Sequence, residues 1–192
     1  MERLKDIKNG ITNALFLEDT FRRLEEIGIS VKSEAKIQPV ALVRVEDFSP
    51  QIRFQAVQMQ QVYVGFFCLE NSARELIQQR LSERHGPDWW TRKTPKKVQD
   101  NVEALKKKEE RNKYLSARAV TNIGYTFFGN LSQIMIANWE DFTDLFPDQA
   151  WITSRFNDLE MCRNVIMHTN VLPQAEIERI DQIVRDWQSQ VG

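Results

Sequence analysis

Residues 157–168 read NDLEMCRNVIMH, and this stretch carries an arginine, an asparagine and a histidine toward the C-terminal end of a predicted helix. Asn164 and His168 are four residues apart, so their side chains share one helical face, about 40° apart at roughly 100° per residue. Arg163 lies about 140° from His168 on the same wheel. Its long side chain must therefore curl back or serve a site shared with a second molecule.

The candidate chemistry of this stretch rests on His168 and Arg163. The chain has two histidines, and an imidazole can exchange a proton near neutral pH. Arg163 is a permanent cation that can grip a phosphate through two hydrogen bonds. A structural interpretation stays open, because a histidine near a helix C-terminus commonly caps the helix and an arginine among acidic residues commonly forms an ion pair. His85, followed by Gly-Pro, is interpreted as a loop residue.

The sequence on both sides of this stretch predicts further helices. Ser49-Pro50 is a good helix start, and apolar residues keep a helical period from there until Gly86-Pro87 ends the run. Tyr63 and Phe67 are assigned to the apolar face by this period. Further helices are expected after Pro95, over residues 116–137, over residues 139–146 and after Pro173. The prediction is an all-α bundle of about four core helices plus short ones, occupying residues 49–192. Cys68 and Cys162 fall in apolar helical patterns, which favours buried free thiols over a disulfide.

Residues 1–48 are predicted to form a small N-terminal appendage. Two short amphipathic helices are expected over residues 1–27, and the β-branched residues between Ile29 and Phe48 suit a β-hairpin. Helix, helix and hairpin also describe a small winged-helix module. The second helix lacks the arginines and lysines that reading a DNA groove requires, so a packing appendage or oligomerisation arm is favoured.

The charges are divided along the chain although the net charge is −1. Residues 91–118 hold ten Lys and Arg against four Asp and Glu, whereas residues 138–192 hold four against ten. Such a division can steer a polyanion toward a cleft or let two molecules dock, and a solvated helix face is the equal alternative. The candidate RNA-binding residues are Lys96, Lys97, Lys106 and Lys107. A strongly basic nucleic-acid binder is excluded.

The spacing Arg163-Asn164-x-x-x-His168 resembles the signature of the HEPN superfamily of helical domains. The wider chain is most similar to the Swt-type branch of that superfamily, over residues of about 52 to 190. Glu70 and Arg74 on the long helix, the Trp89-Trp90 pair, the segment 125–139 and Phe142 follow the order of that branch.

Two of these features also have plain structural interpretations. Glu70 and Arg74 form an i, i+4 pair, which on its own predicts a partly exposed salt bridge worth under about 1 kcal/mol. The resemblance implies instead that both face the Arg-His helix, with Glu70 orienting a catalytic side chain. The Trp89-Trp90 pair is expected to anchor its loop against the bundle, and base stacking is the alternative.

The resemblance implies metal-independent RNA cleavage, with Arg163, Asn164 and His168 as catalytic residues and Glu70 and Arg74 in support. The partners it implies are RNA, a second copy of the chain and an antitoxin or other protein. No metal or cofactor is expected, because the sequence shows no cluster of metal ligands. No leader and no run of 18 apolar residues is present, which predicts a cytoplasmic protein without membrane insertion.

Two other classes of function stay open. HEPN-like bundles also act as non-catalytic modules for dimerisation or for binding RNA or nucleotides, in which the same side chains hold a phosphate without cutting. A purely structural helical adaptor is the third possibility. Cleavage of RNA in EDTA that depends on His168 separates the first class from the other two.

Overall fold

The long helix that organises the structure, α1, spans Pro50–His85. The computed structural model describes residues 45–112, 114 and 116–192. Ser49 accepts a hydrogen bond from the Ile52 amide at 3.4 Å, and Pro50 occupies the first turn, where a missing N–H costs nothing. The helix ends at Gly86, whose φ of 80° lies in the left-handed region that favours glycine. Both ends therefore fall where the sequence predicts them.

Five shorter helices follow α1: α2 is Trp89–Lys93, α3 is Lys96–Glu110, α4 is Phe128–Ala137, α5 is Gln149–Met167 and α6 is Gln174–Val191. Two 3₁₀ turns, Ile123–Tyr125 and Trp139–Asp141, precede and follow α4. The part of the chain that the structure describes contains no strand, so the predicted all-α class is confirmed there. The predicted hairpin and its helices lie almost entirely outside the described residues. Residues Phe48–Gly192 form one compact unit.

A line of aromatic rings joins the core helices. Phe66 of α1 lies 6.3 Å from Phe128 of α4, and Phe128 lies 5.5 Å from Phe156 of α5, measured between ring centroids. Phe156 is in turn 5.7 Å from Trp187 of α6. All four rings are buried, and tilted or edge-on aromatic pairs of this kind add to the apolar burial itself. Helices α1, α4, α5 and α6 thus share one core.

The predicted helix over residues 116–137 is wrong in its first half. Val120 is fully exposed and the chain turns through Ile123–Tyr125 before α4 begins at Phe128. The Thr126 carbonyl accepts a hydrogen bond from Arg74 Nη2 at 2.7 Å, and the Thr126 hydroxyl donates to the Ile123 carbonyl at 2.6 Å. The carbonyl and the hydroxyl of Thr126 thus bond to groups outside α4, and the helix begins only after this residue.

Three smaller predictions need correction. Cys68 is exposed on α1 rather than buried, whereas Cys162 is buried. Trp89 and Trp90 lie in the short helix α2 rather than in a loop, although Trp89 is buried in the core as the anchor interpretation predicts. Tyr63 of α1, assigned to the apolar face from its spacing, is half-exposed. Among the described helices, none has a stretch of the length and hydrophobicity needed to cross a membrane.

Candidate functional site

A cleft of about 630 Å³ opens between α1, the segment before α4, and the last turns of α5. Its described lining includes three arginines, Arg74, Arg118 and Arg163, and the carboxylate of Glu70. Helix α1 contributes Glu70 and Arg74 one turn apart, and α5 contributes Arg163 from across the cleft. The three guanidinium groups each carry several N–H donors, which suits this surface to an anionic ligand, although Glu109 of α3, outside the lining, pairs with Arg118.

Glu70 is the buried group of the site. Its Oε1 accepts a hydrogen bond from Arg74 Nη2 at 2.6 Å, and its Oε2 lies 3.9 Å from Arg163 Nε. The salt bridge predicted from the i, i+4 spacing is therefore present, with the Arg74 side chain 18% exposed and that of Glu70 10% exposed. Burial raises the pKa of the Glu70 carboxyl above its usual range, although both arginines oppose the shift. Glu70 and Arg74 do face the helix that carries Arg163.

Arg163 curls back toward α1 and away from the end of its own helix. Its guanidinium carbon lies 4.7 Å from the centroid of the Phe127 ring, an attractive arrangement of a cation over an aromatic face. Its Nη1 makes a long contact of 3.5 Å with Asn164 Oδ1. The carboxylate of Glu70 and the ring of Phe127 therefore both attract the guanidinium of Arg163 toward the cleft.

Arg118 is a second cation at the same aromatic ring, and no motif in the sequence indicates it. Its guanidinium carbon lies 5.8 Å from the centroid of Phe127 and 5.8 Å from that of Tyr125. Glu109 of α3 holds it, accepting a hydrogen bond from Arg118 Nε at 2.8 Å and one from the Tyr125 hydroxyl at 3.0 Å. The pKa of the Glu109 carboxyl is lowered, chiefly because its carboxylate accepts a hydrogen bond from the backbone amide of Arg118.

The structure does not bring every predicted site residue into this cleft. Asn164 and His168 are exposed, and the cleft is lined on α5 by Arg163 and Met167 instead. His168 is the residue that ends α5: its amide donates to the Asn164 carbonyl at 3.1 Å. The His168 ring is therefore open to solvent at the C-terminal end of α5, the same helix that carries Arg163.

The turn after His168 is strained. The amide of Thr169 donates to the Ile166 carbonyl at 2.8 Å and that of Asn170 to the Val165 carbonyl at 3.1 Å, the two bonds of a Schellman motif. Glycine normally occupies the left-handed position of this motif, yet here Thr169 holds it with φ 59°. A β-branched residue in this region is a genuine outlier, and such strain concentrates at functional sites.

The four predicted RNA-binding lysines lie on α3, outside the lining of the cleft. Lys96, Lys97 and Lys107 are exposed, and Lys106 is half-buried. Lys96 pairs with Asp100 at 2.9 Å, and Lys106 bonds to Asn122 and lies 5.5 Å from the Tyr125 centroid. Part of the basic charge in this segment is thus matched locally. Within the described residues, no group of three or more His, Cys, Asp or Glu is placed to hold a metal ion.

The sequence gives little indication that four further residues belong to the cleft: Tyr63, Phe67, Arg118 and Phe127. Tyr63 and Phe67 also line the cleft, whereas their i, i+4 spacing predicts core positions on α1. Phe127 and Arg118 come together only because the chain turns before α4, which the helical pattern of residues 116–137 conceals. In comparisons with protein-family models, with curated proteins and with solved structures, this chain matches none.

Proposed function

We propose that this chain is a HEPN-type endoribonuclease that cuts RNA without a metal ion and works as a homodimer. The observation that supports this most is the position of Arg163, held by Glu70 over Phe127 in an open cationic cleft, on the helix whose end exposes His168. The likeness to the Swt-type branch adds the expectation of a cytoplasmic role in bacterial defence or stress response, with an antitoxin or other protein as a further partner.

The proposed step is attack by the ribose 2′-oxygen on the adjacent phosphorus. An imidazole of His168 removes the 2′-OH proton, the new P–O2′ bond forms, and the P–O5′ bond breaks to leave a 2′,3′-cyclic phosphate. The 5′-oxygen takes a proton from an imidazolium and leaves as a hydroxyl. Each such proton transfer typically contributes about 10²- to 10⁴-fold to the rate. Asn164 orients the imidazole or binds a phosphate oxygen.

Arg163 stabilises the charge that develops in this step. As the phosphorus becomes five-coordinate, its equatorial oxygens gain negative charge, and a pre-positioned cation there is worth about 3 to 4 kcal/mol. Glu70 and Phe127 reduce the reorganisation that Arg163 needs, because they already hold its guanidinium at the cleft wall. Arg74 supports Glu70 in turn.

The separation of the two groups supports the proposed homodimer. Arg163 points into the cleft of its own chain and His168 lies exposed at the helix end. Two copies related by a two-fold axis bring a pair of His168 residues and a pair of Arg163 residues to one substrate, so that one imidazole acts as base and the other as acid.

The experiment is RNA cleavage in EDTA by the purified protein and by three variants. His168→Ala is expected to abolish cleavage without changing the melting temperature, since the ring is exposed. Arg163→Gln is expected to lower the rate by about 10²-fold or more. Arg179→Gln, an exposed arginine outside the cleft, is the matched control and is expected to cleave normally. Cleavage that persists in His168→Ala would refute the proposal.

A second candidate is a non-catalytic module that binds RNA or nucleotides. It is favoured by one observation: His168 does not line the cleft that holds the arginines. In that case the wild-type protein binds RNA through Arg163 and yields no cyclic-phosphate product. Binding without cleavage, lost in Arg163→Gln and kept in His168→Ala, would support this candidate over the nuclease.

A further inference from the structure

The cleft has an aromatic wall that the proposed cleavage step does not use. Tyr63 and Phe67 lie on successive turns of α1, with ring centroids 6.5 Å apart. Both line the cleft, and they are 46% and 58% exposed. Two large rings half-open to solvent beside a cationic surface offer flat apolar faces next to sites for phosphate.

Two arginines of the cleft, Arg118 and Arg163, lie on segments other than α1, which carries this wall. Arg163 and Arg118 both approach the Phe127 ring, at 4.7 and 5.8 Å from its centroid. Glu109 holds Arg118 from the side of α3, and Glu70 holds Arg163 from α1. Each guanidinium thus has one carboxylate to fix it, which leaves part of its donor fork for an anion that enters the cleft.

We infer that this cleft is a binding subsite for single-stranded RNA, in which bases stack on Tyr63 and Phe67 while the phosphates between them contact Arg118 and Arg163. This inference rests on the proposed function for its ligand class and adds the strand state and the residues. A duplex keeps its bases stacked on each other, so they are not available to two side-chain rings, whereas unpaired bases are.

The dimensions and charge of the cleft agree with such a ligand. Its volume of about 630 Å³ is in the range of pockets that enclose a small molecule, enough for a short stretch of strand rather than a duplex. The phosphodiester backbone supplies the negative charge that the arginines attract. Stacking on Tyr63 and Phe67 does not read the base, so the subsite selects unpaired RNA with little sequence preference.

The test measures binding by fluorescence anisotropy, with a short labelled single-stranded RNA of mixed sequence and its duplex as probes, both 2′-O-methylated so that the proposed cleavage step cannot occur. Tyr63→Ala and Phe67→Ala are each expected to weaken single-strand binding about 10-fold and to change duplex binding little. Phe54→Ala is the matched control, because Phe54 is 71% exposed on the same helix and lies outside the cleft lining. It is expected to bind as the wild type does.

Arg118 has its own readout in the salt dependence. Arg118→Gln is expected to reduce the slope of log affinity against log salt by about one phosphate contact, near 0.7 for a single strand. Arg185→Gln, an exposed arginine of α6 that pairs with Asp181, is the control and is expected to keep the slope. An unchanged slope in Arg118→Gln would show that Arg118 does not contact a phosphate in the subsite.

The outcomes separate this inference from the nuclease proposal. Single-strand binding that depends on Tyr63 and Phe67, with no cleavage, keeps the subsite and refutes the nuclease. Cleavage that depends on His168 but not on Tyr63 or Phe67, with equal affinity for single strand and duplex, supports the nuclease and refutes the subsite. Sedimentation of each variant is measured as well. If Phe67→Ala turns a dimer into a monomer, the aromatic wall is a protein interface and the inference is overturned.

Discussion

The guanidinium carbon of Arg163 lies 4.7 Å from the centroid of the Phe127 ring. The ring belongs to the residue before α4, and the cation belongs to the penultimate turn of α5, so this contact ties the two helices together beside the cleft. Half-buried contacts of this type contribute about 0.5 to 1 kcal/mol. They also restrict the rotamers of a long side chain, which a phosphate-binding arginine needs.

The first prediction is a double-mutant cycle on this contact. Phe127→Leu keeps the apolar bulk and removes the aromatic face, and Arg163→Met keeps the aliphatic stem and removes the charge. From urea unfolding of both single variants and the double variant, we expect a coupling free energy of about 0.5 to 1 kcal/mol. Arg80 and Phe142, at 5.9 Å, provide a looser comparison pair. A coupling near zero would mean that the ring does not hold Arg163.

The second prediction concerns Arg74. Its Nη2 donates to Glu70 at 2.6 Å and to the Thr126 carbonyl at 2.7 Å, and its side chain is 18% exposed. Arg74→Met leaves the Glu70 carboxylate buried without its nearest cation, and such a change costs about 3 to 5 kcal/mol. We expect the free energy of unfolding in urea to fall by about 3 kcal/mol.

A matched control for Arg74 lies on α6. Arg185 and Asp181 are also an i, i+4 arginine–carboxylate pair, but both side chains are more than half exposed. Solvent and salt screen such a pair, so Arg185→Met is expected to lower the free energy of unfolding by under about 1 kcal/mol. Equal losses in the two variants would show that the Arg74 pair is not specially important to the fold.

The long helix was predictable because its signals are local. Ser49-Pro50 and Gly86-Pro87 delimit α1 by capping and backbone chemistry alone, and residues such as Ala73, Ile77 and Leu81 recur on one face. The exposure of Tyr63 was not predictable in the same way. An aromatic residue at a core spacing looks the same in the sequence whether a neighbouring helix covers it or a cleft opens beside it.

The cleft itself depends on contacts between residues far apart in the chain. Arg74 meets the Thr126 carbonyl across 52 residues, and this bond accompanies the turn that brings Phe127 to Arg163. The apolar pattern of residues 116–137 gives no sign of it, because a helical period persists through the turn. The short motif at 163–168 indicates Arg163 as a candidate anion ligand, and Arg163 does line the cleft, but the six residues cannot tell which wall the side chain faces.

The third prediction concerns the strain at Thr169. The left-handed conformation costs a residue with a Cβ about 1 to 2 kcal/mol, and glycine avoids that cost while keeping both bonds of the Schellman motif. Thr169→Gly is therefore expected to raise the free energy of unfolding by about 1 kcal/mol, measured in urea. Loss of the Thr169 hydroxyl bond to the His168 carbonyl, at 2.7 Å, offsets part of the gain. Thr169→Ala, which keeps the strain and loses the hydroxyl, is the comparison and should be no more stable than the wild type.

The fourth prediction is a loss of stability in acid that depends on Asp141. This carboxylate is 2.7 Å from His85 Nε2 and 3.2 Å from Arg84 Nη1, and it joins the end of α1 to the turn at 139–141. Burial would raise the pKa of Asp141, but the hydrogen bonds from His85 and Arg84 outweigh it and hold the pKa below its usual range.

The direction of the pH effect follows from that shift. A carboxyl whose pKa is lower in the folded than in the unfolded chain contributes stability that is complete above the unfolded pKa, about 3.9, and is lost as pH falls through the folded value. We expect Asp141→Asn to be less stable than the wild type by about 1 to 2 kcal/mol near pH 5, and the difference to shrink below pH about 4. Urea unfolding at constant ionic strength measures it.

Asp88→Asn is the control for Asp141, because Asp88 is exposed before α2 and its side chain makes no capping bond. Its variant is expected to follow the wild-type profile throughout. A wild-type advantage over Asp141→Asn that does not shrink as pH falls below about 4 would contradict the argument. The contribution of Asp141 would then come from packing, which pH does not remove, and the contacts with His85 and Arg84 would not be what holds the end of α1 to the turn.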